Sequence, residues 1–224
     1  MITGHYISKS EKLEKSLIKY LNGLNKPLIQ KYGVEKTQSI MAKSKEYYPE
    51  IIKKMPFFKT PMYDSLIVLN SKMMALKKGM KAEGIEVDEF VRFTIENLRK
   101  KMAKIPFIVR KLSGKIFLSK LVGKVMKKVG KSATTNGWPT EVLIGTKKED
   151  FAMKVLTKDC QMVKFMCSVD EDDIVSYCSF ADFTNAEALG ISLKQTSTID
   201  SGTCTFCFNK KGTVHWPESL IKLN

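Results

Sequence analysis

The stretch Tyr177–Lys211 constrains the fold most, because a helix pattern runs directly into a hairpin pattern. Within Cys178–Leu189 the apolar residues recur at helical spacing, and Gly190 is a typical residue just beyond a helix end. Two runs rich in β-branched and aromatic residues follow, at positions 191–199 and 203–209, separated by an Asp-Ser-Gly triplet. A three-residue turn with glycine in the left-handed conformation would join these runs as a β-hairpin.

The turn also predicts the register of the hairpin, since strand pairing follows from loop length. The predicted cross-strand pairs are Ile199 with Thr203, Thr198 with Cys204, Thr196 with Phe206, and Gln195 with Cys207. In this register the second and third pairs share one face, and that face is predicted to lie toward the helix that carries Cys178 and Asp182. The Gln195–Cys207 pair is predicted on the other face.

The same stretch carries a family resemblance through spaced residues. These are Cys178 and Asp182 (C-x-x-x-D), Gly190 and Leu193 (G-x-x-L), Thr196 and Thr198 (T-x-T), and Gly202, Cys204 and Phe206 (G-x-C-x-F), with Asp159-Cys160 and Lys164-Phe165 upstream. Over residues 138–211 the chain resembles the L-2-amino-thiazoline-4-carboxylic acid hydrolase family. The resemblance implies hydrolysis of a small cyclic substrate at a C–N or C–S bond. The family usually has arginine at the positions of Gln195 and Cys207, which implies a changed or lost substrate here if those arginines hold a carboxylate.

Adding water to a thiazoline ring needs a base or nucleophile, an acid for the leaving atom, and donors for the substrate. The candidate catalytic residues are Asp182, Cys178, Cys160 and Cys204, and the candidate substrate-binding residues are Tyr177, Thr196 and Thr198. A purely structural role stays open for each thiol, because cysteine is among the residue types most often buried.

Asp182 and Cys178 rank first among these candidates, because a spacing of four puts both on one side of a helix. A neighbouring carboxylate raises the pKa of a thiol, so Asp182 is predicted to activate water while Cys178 lines the site. Neither a metal nor a cofactor is predicted. The Cys204-x-x-Cys207 pair would point to opposite faces of a strand, and no phosphate-binding or dinucleotide-binding motif occurs.

The order of the patterns predicts an α+β fold. Residues 1–131 form an N-terminal helical module, and a small, polar stretch at 132–139 marks the boundary. Residues 138–211 are expected to form an antiparallel sheet of about four strands with helices on one face, followed by a tail at 212–224.

Positive charge is concentrated in one segment of a chain whose formal net charge is +15. Residues 99–131 carry twelve Lys or Arg, and no acidic residue occurs from 97 to 140. From Lys115 onward this segment predicts a basic amphipathic helix, which either docks its apolar side on the protein or lies in an anionic membrane interface. Docking is favoured, and it predicts burial of Phe117, Leu121 and Val125. Nucleic-acid binding is disfavoured, since neither a binding motif nor a set of stacking aromatic residues accompanies the charge.

Three functions follow from these patterns, and the leading one is a hydrolase of a small cyclic substrate. The alternatives are a non-catalytic protein that binds a small ligand, and a peripheral binder of anionic membranes through residues 99–131. A cytoplasmic location is expected, because the N-terminus is polar, no long apolar run occurs, and five cysteines favour a reducing compartment. The true substrate and the oligomeric state stay open at this stage.

Overall fold

The computed structural model describes residues 4–197 and 203–223, with helices first and a sheet after them. The helices before the sheet are α1 (Ser10–Asn22), α2 (Asn25–Tyr32), α3 (Val34–Lys54), α4 (Pro61–Lys81), α5 (Val87–Ala103), α6 (Phe107–Phe117) and α7 (Lys120–Thr135). The remaining elements are β1 (Thr140–Ile144), β2 (Phe151–Lys158), α8 (Gln161–Ser168), α9 (Phe180–Leu189), β3 (Ser192–Ser197), β4 (Thr203–Asn209) and α10 (Glu218–Ile221). The predicted α+β class is confirmed.

The chain forms two compact units. The first contains Met1–Phe90 and Met162–Ile174, and the second contains Val91–Gln161 and Val175–Asn224. The boundary predicted at residues 132–139 therefore falls inside the second unit, between α7 and β1. The reason is that α7 packs on the sheet, a contact that sequence composition does not reveal.

The first unit has an apolar core of aliphatic and aromatic side chains and contains a buried ionic cluster. Helix α1 buries three leucines spaced four apart, Leu13, Leu17 and Leu21. Lys77 of α4 is 2% exposed and its ammonium group pairs with the carboxylates of Glu171 and Asp173. Lys78 adds a second cation at 3.2 Å from Glu171, which is 1% exposed. Burying these charges is tolerable because each has an opposite charge as its hydrogen-bond partner.

The second unit contains the sheet, whose strand order is β1-β2-β4-β3 with all neighbours antiparallel. Three helices cover the same face of this sheet. Helix α7 lies on β1, where Gly130 is close to Val142. The rings of Phe117 in α6 and Phe208 in β4 have centroids 5.1 Å apart, and those of Phe183 in α9 and Phe206 in β4 are 6.3 Å apart. The expected arrangement, four strands with helices on one face, is thus observed.

The hairpin register differs from the prediction by one residue over most of β3. Gln195 pairs with Phe206 and Lys194 with Cys207, so the predicted Gln195–Cys207 and Thr196–Phe206 pairs are wrong. The physical cause is a β-bulge between Gln195 and Ser197, which places Thr196 opposite no residue of β4. Ser197 pairs with Thr205, in the register that the predicted turn requires. The predicted pairs of Thr198 and Ile199 lie outside the described residues.

The basic segment also differs from the prediction, because two helices replace the single one expected from Lys115 onward. Helix α6 ends at Phe117, and Ser119 begins α7 by accepting a hydrogen bond from the Val122 N–H at 3.3 Å. The predicted burial of the apolar stripe is wrong, since Leu121 is 72% and Val125 is 52% exposed. Phe117 is half-buried.

Glycines explain why one set of apolar side chains of α6 and α7 stays exposed to solvent. Gly114 of α6 faces the Leu189 carbonyl at the end of α9, and Gly123 and Gly130 of α7 face Ile144 and Val142 of β1. A methyl group at Gly130 would stand 3.0 Å from a Val142 methyl. Close contact therefore requires the glycine sides of both helices to face inward, and this turns the apolar residues on the opposite sides, such as Ile108, Leu121 and Val125, outward.

No helix in the part of the chain that the structure describes is both long enough and apolar enough to cross a bilayer.

Candidate functional site

The second unit brings together the four residues predicted to be catalytic. Cys204 lies on β4, Asp182 lies in the first turn of α9, Cys178 lies just before α9, and Cys160 lies just after β2. The thiols of Cys178, Cys160 and Cys204 are close enough to interact electrostatically. The Asp182 carboxylate also interacts electrostatically with the thiols of Cys178 and Cys204. We call this group the Asp182 cluster.

Local backbone features position each member. The chain turns sharply after β2 through Asp159, whose φ of 51° is left-handed, and Cys160 follows at once. The helix predicted from Cys178 begins two residues later, at Phe180 in α9, and a 3-10 segment, Asp172–Tyr177, precedes it. Cys178 sits in the turn between them, and its N–H donates to the Val175 carbonyl at 3.2 Å. The spacing of four residues still keeps Cys178 near Asp182.

Gln195 joins the cluster although the sequence predicts it on the opposite face of the hairpin. Its side-chain oxygen accepts a hydrogen bond from Ser179 Oγ at 3.0 Å, and its amide nitrogen donates to Cys204 Sγ at 3.5 Å. The bulge at Thr196 is responsible, because one extra residue exchanges the faces of the strand before it. Gln195 and Ser179 are therefore site residues that the sequence pattern missed. The sequence signal that pointed to Gln195 was the resemblance described above, in which arginine is usual at this position.

Asp182 is the acid–base candidate that water can reach. Asp182 is exposed to solvent, yet enough protein atoms lie near its carboxyl group to desolvate it in part. This partial burial raises the pKa of the carboxyl from the usual 3.8 to about 6, since desolvation disfavours the charged form. A carboxylate with a pKa near 6 is mostly ionised at neutral pH and is a stronger base than an ordinary aspartate.

The thiols are poor nucleophiles in this environment. Burial raises the pKa of Cys178 well above its usual range, and the charges of Cys204, Cys160 and Asp182 raise it further. Burial also raises the pKa of Cys204 to about 12, with the charges of Cys160 and Asp182 adding to the effect. Only a thiolate attacks or binds a metal efficiently, so both thiols serve as neutral lining groups near pH 7.

The residues predicted to bind substrate do not all lie at the Asp182 cluster. Tyr177 is half-buried at the end of the 3-10 segment, next to Cys178. Thr196 is exposed at the bulge rather than paired with Phe206, and Thr198 lies outside the described residues. Cys207 is buried on the opposite face of β4 from Cys204, where its thiol donates to Asn209 Oδ1 at 3.2 Å. Among residues 4–197 and 203–223, no group of three or more His, Cys, Asp or Glu side chains is arranged to hold a metal ion.

We expect Asp182→Asn to become more stable relative to the unchanged protein as pH rises from about 4 to 7. Because the carboxyl pKa is raised to about 6 on folding, the folded state holds a proton that the unfolded chain has released. The contribution of Asp182 to stability is thus fullest below the unfolded pKa and is lost as pH rises through the folded one, whereas asparagine does not titrate. Urea unfolding at several pH values measures this difference, with Asp172→Asn, at another exposed aspartate, as control. A difference between Asp182→Asn and the unchanged protein that stays constant with pH would contradict the assigned pKa.

A second candidate site is the outward side of α6 and α7, which combines large apolar residues with lysines. We call it the α6–α7 surface. Its exposed apolar residues are Phe107, Ile108, Val109, Leu112, Ile116, Leu121 and Val125. Its basic residues include Lys111, Lys115, Lys120, Lys124, Lys127, Lys128 and Lys131. An apolar surface of this extent is unusual on a protein that makes no contact through it.

Comparison of the chain with protein-family models, with curated proteins and with solved structures found no match.

Proposed function

We propose that this protein binds peripherally to anionic membranes through the α6–α7 surface. The observation that carries this proposal is the inverted packing of two helices. Both turn their glycines toward the protein and a set of large apolar residues toward solvent, with Ile108 79% and Leu121 72% exposed. Burying such side chains in the outer part of a bilayer removes apolar area from water and is worth roughly 1.5–3 kcal/mol for each large residue.

The charge of the same segment selects the kind of membrane. Twelve Lys or Arg occur between residues 99 and 131, and no carboxylate side chain interrupts the positive potential from 97 to 140. Each cation near an anionic bilayer surface contributes about 1 kcal/mol, and the long aliphatic stems of lysine let the ammonium groups reach the headgroups. Apolar and electrostatic contributions therefore act at one face. The proposal includes a cytoplasmic location, where the facing leaflet is anionic.

Cosedimentation with lipid vesicles tests the proposal. We expect the protein to pellet with vesicles of mixed phosphatidylcholine and phosphatidylserine and to stay in the supernatant with pure phosphatidylcholine. Binding should weaken as salt rises, since the screening length falls from about 8 Å at physiological ionic strength to about 3 Å at 1 M. Absence of binding to the anionic vesicles at low salt would overturn the proposal.

A second candidate function is hydrolysis of a small cyclic substrate at the Asp182 cluster, supported by the water-accessible carboxylate with a pKa near 6. In this mechanism the Asp182 carboxylate takes a proton from a water molecule as the water oxygen adds to the electrophilic carbon of the ring C=N bond, whose π electrons move to nitrogen. As the C–N or C–S bond breaks, the protonated Asp182 gives its proton to the leaving nitrogen or sulfur, and the new hydroxyl becomes a carbonyl by passing its proton to the charged nitrogen. Cys178 and Cys204 line the site as neutral thiols, and the Gln195 amide is held between Ser179 and Cys204. The C-terminal residues that resemble the thiazoline-carboxylate hydrolase family suggest the substrate class.

Turnover of the thiazoline carboxylate by purified protein tests this second candidate. We expect Asp182→Asn to abolish turnover, and kcat/KM of the unchanged protein to rise with pH through about 6 as Asp182 loses its proton. Cys178→Ser should keep most of the activity, because a neutral lining thiol and a hydroxyl are similar in size. If Asp182→Asn leaves turnover unchanged, the Asp182 cluster is not the catalytic site. Binding of the compound without turnover would favour the non-catalytic alternative.

A further inference from the structure

A groove runs between α7 and the edge strand β1 in the second unit. Its volume is about 820 Å³, which lies within the range of sites that hold small organic molecules. Its lining residues are Lys124, Lys127, Lys128, Lys131, Thr134, Thr135, Thr140, Glu141, Val142 and Leu143. We call it the α7–β1 groove.

The position of the groove follows from the same packing that exposes the α6–α7 surface. Gly123 and Gly130 let α7 lie directly on β1, and this contact turns the lysines of α7 toward the open edge of the strand. Two hydrogen bonds join the end of α7 to β1: Thr134 Oγ1 donates to the Thr140 carbonyl and accepts from the Thr140 N–H, each at 2.9 Å. The wall of the groove is therefore held in place without a ligand.

The lining indicates what kind of ligand the groove accepts. Four lysines and one acidic residue, Glu141, line the groove, so the lining has a net positive charge. The hydroxyl of Thr135 already donates to the Lys131 carbonyl at 3.0 Å, and that of Thr134 is bound as described, which leaves the lysines as the donors for a ligand. Val142, Leu143 and the lysine stems supply apolar area beside these charges. Charge and apolar area together suit an amphiphile with an anionic head.

We infer that the α7–β1 groove binds the phosphate-bearing headgroup of a single anionic lipid, with the start of its acyl chains against the apolar wall. This inference rests on the proposed membrane function and names the lipid class that the basic helix recognises. A phosphomonoester carries nearly two negative charges at neutral pH, so it interacts with several ammonium groups at once, whereas a phosphodiester carries one. The groove lies next to the side of α7 that bears Leu121 and Val125. Around the helix axis, these two residues are about a quarter turn or less from Lys124 and Lys128, which line the groove. A lipid held there would therefore have its chains on the side of the bilayer.

The test uses lipids that stay monomeric in water, so that it is independent of vesicle binding. Isothermal titration with dihexanoyl phosphatidic acid should give saturable binding. Glycerol 3-phosphate, which has the same phosphate without acyl chains, should have an affinity at least about tenfold lower, and dihexanoyl phosphatidylcholine should not bind. Equal affinity for glycerol 3-phosphate would overturn the lipid assignment.

Matched variants locate the site. The pair Lys127→Glu with Lys131→Glu should weaken dihexanoyl phosphatidic acid binding by about tenfold or more, and Glu141→Gln should strengthen it severalfold. The control pair Lys111→Glu with Lys115→Glu makes the same charge change on α6, outside the groove lining, and should alter affinity by less than about threefold. Equal losses from both pairs would show attraction by overall charge and overturn a site in the groove.

The two proposals fail separately. Vesicle binding without saturable binding of the monomeric lipid would overturn the groove while the α6–α7 surface stands. Saturable binding that depends on Lys127 and Lys131, in a protein that does not bind vesicles, would support the groove and overturn the peripheral membrane function. Capture of an extended acidic peptide along β1 in place of the lipid would assign the groove to protein recognition and overturn the lipid inference.

Discussion

Exchanging Ile108 and Leu121 together for aspartate is expected to lower the partition of the protein onto anionic vesicles by about a hundredfold or more. Both side chains are among the most exposed large apolar residues of the α6–α7 surface. Each substitution removes a side chain worth roughly 1.5–3 kcal/mol in the bilayer interface and adds a charge that anionic lipid repels. Folding should be little affected, because neither side chain is part of the core.

The matched control for this pair is Val34→Asp with Ile221→Asp. These residues are also large, apolar and exposed, and they lie outside the α6–α7 surface. The control adds the same two negative charges, so any loss that it shares with Ile108→Asp and Leu121→Asp comes from net charge alone. Equal losses would therefore contradict insertion of the surface. The molecular mass measured by size-exclusion chromatography adds a further check. If the unchanged protein is a dimer and only the variant with Ile108→Asp and Leu121→Asp is a monomer, the surface is a contact between copies of the chain.

The largest effect on stability is expected from Lys77→Met, which should lower the free energy of unfolding of the first unit by roughly 3–5 kcal/mol. Lys77 and Glu171 are both nearly fully buried, and the lysine ammonium bridges the carboxylates of Glu171 and Asp173. Removing the cation leaves the buried Glu171 paired with Lys78 at 3.2 Å. Urea unfolding, followed by circular dichroism, measures the loss.

Two further variants separate ion pairing from packing. Lys77→Met combined with Glu171→Leu removes both buried charges, and we expect much of the lost stability to return, because apolar pairs can replace a buried ion pair. Lys53→Met breaks the pair of Lys53 with Glu50 on an exposed side of α3 and should change stability by less than about 1 kcal/mol. A loss after Lys77→Met that resembles the Lys53→Met control would mean that the buried cluster contributes little.

Much of the fold could be predicted because it depends on local pattern. The helical spacing before Gly190 and the two strand-like runs that follow it are properties of short segments. The convergence of Cys178, Asp182 and Cys204 also followed from such patterns, since a helix running into a hairpin must fold back on it. These interactions act between residues close in sequence, so the sequence alone specifies them.

Which side chains of β3 point toward α9 depended on pairing between strands, which no short segment specifies. The bulge at Thr196 moves Gln195 to the side of α9 and beside Cys204, and it separates Thr196 from Phe206. A strand with one extra residue has the same composition and nearly the same alternation as one without it. Only pairing with β4 decides where the extra residue is accommodated, which is why the sequence misassigned Gln195 and Thr196.

The orientation of the basic helices was likewise decided by tertiary structure. The sequence predicted one basic amphipathic helix from Lys115 onward, but amphipathicity specifies only that an apolar side exists. Gly114, Gly123 and Gly130 allow the backbones of α9 and β1 to approach closely, and this contact occupies the inward side with small residues. Because a helix can present only one side to its neighbours, close packing at the glycines leaves Leu121 and Val125 facing solvent.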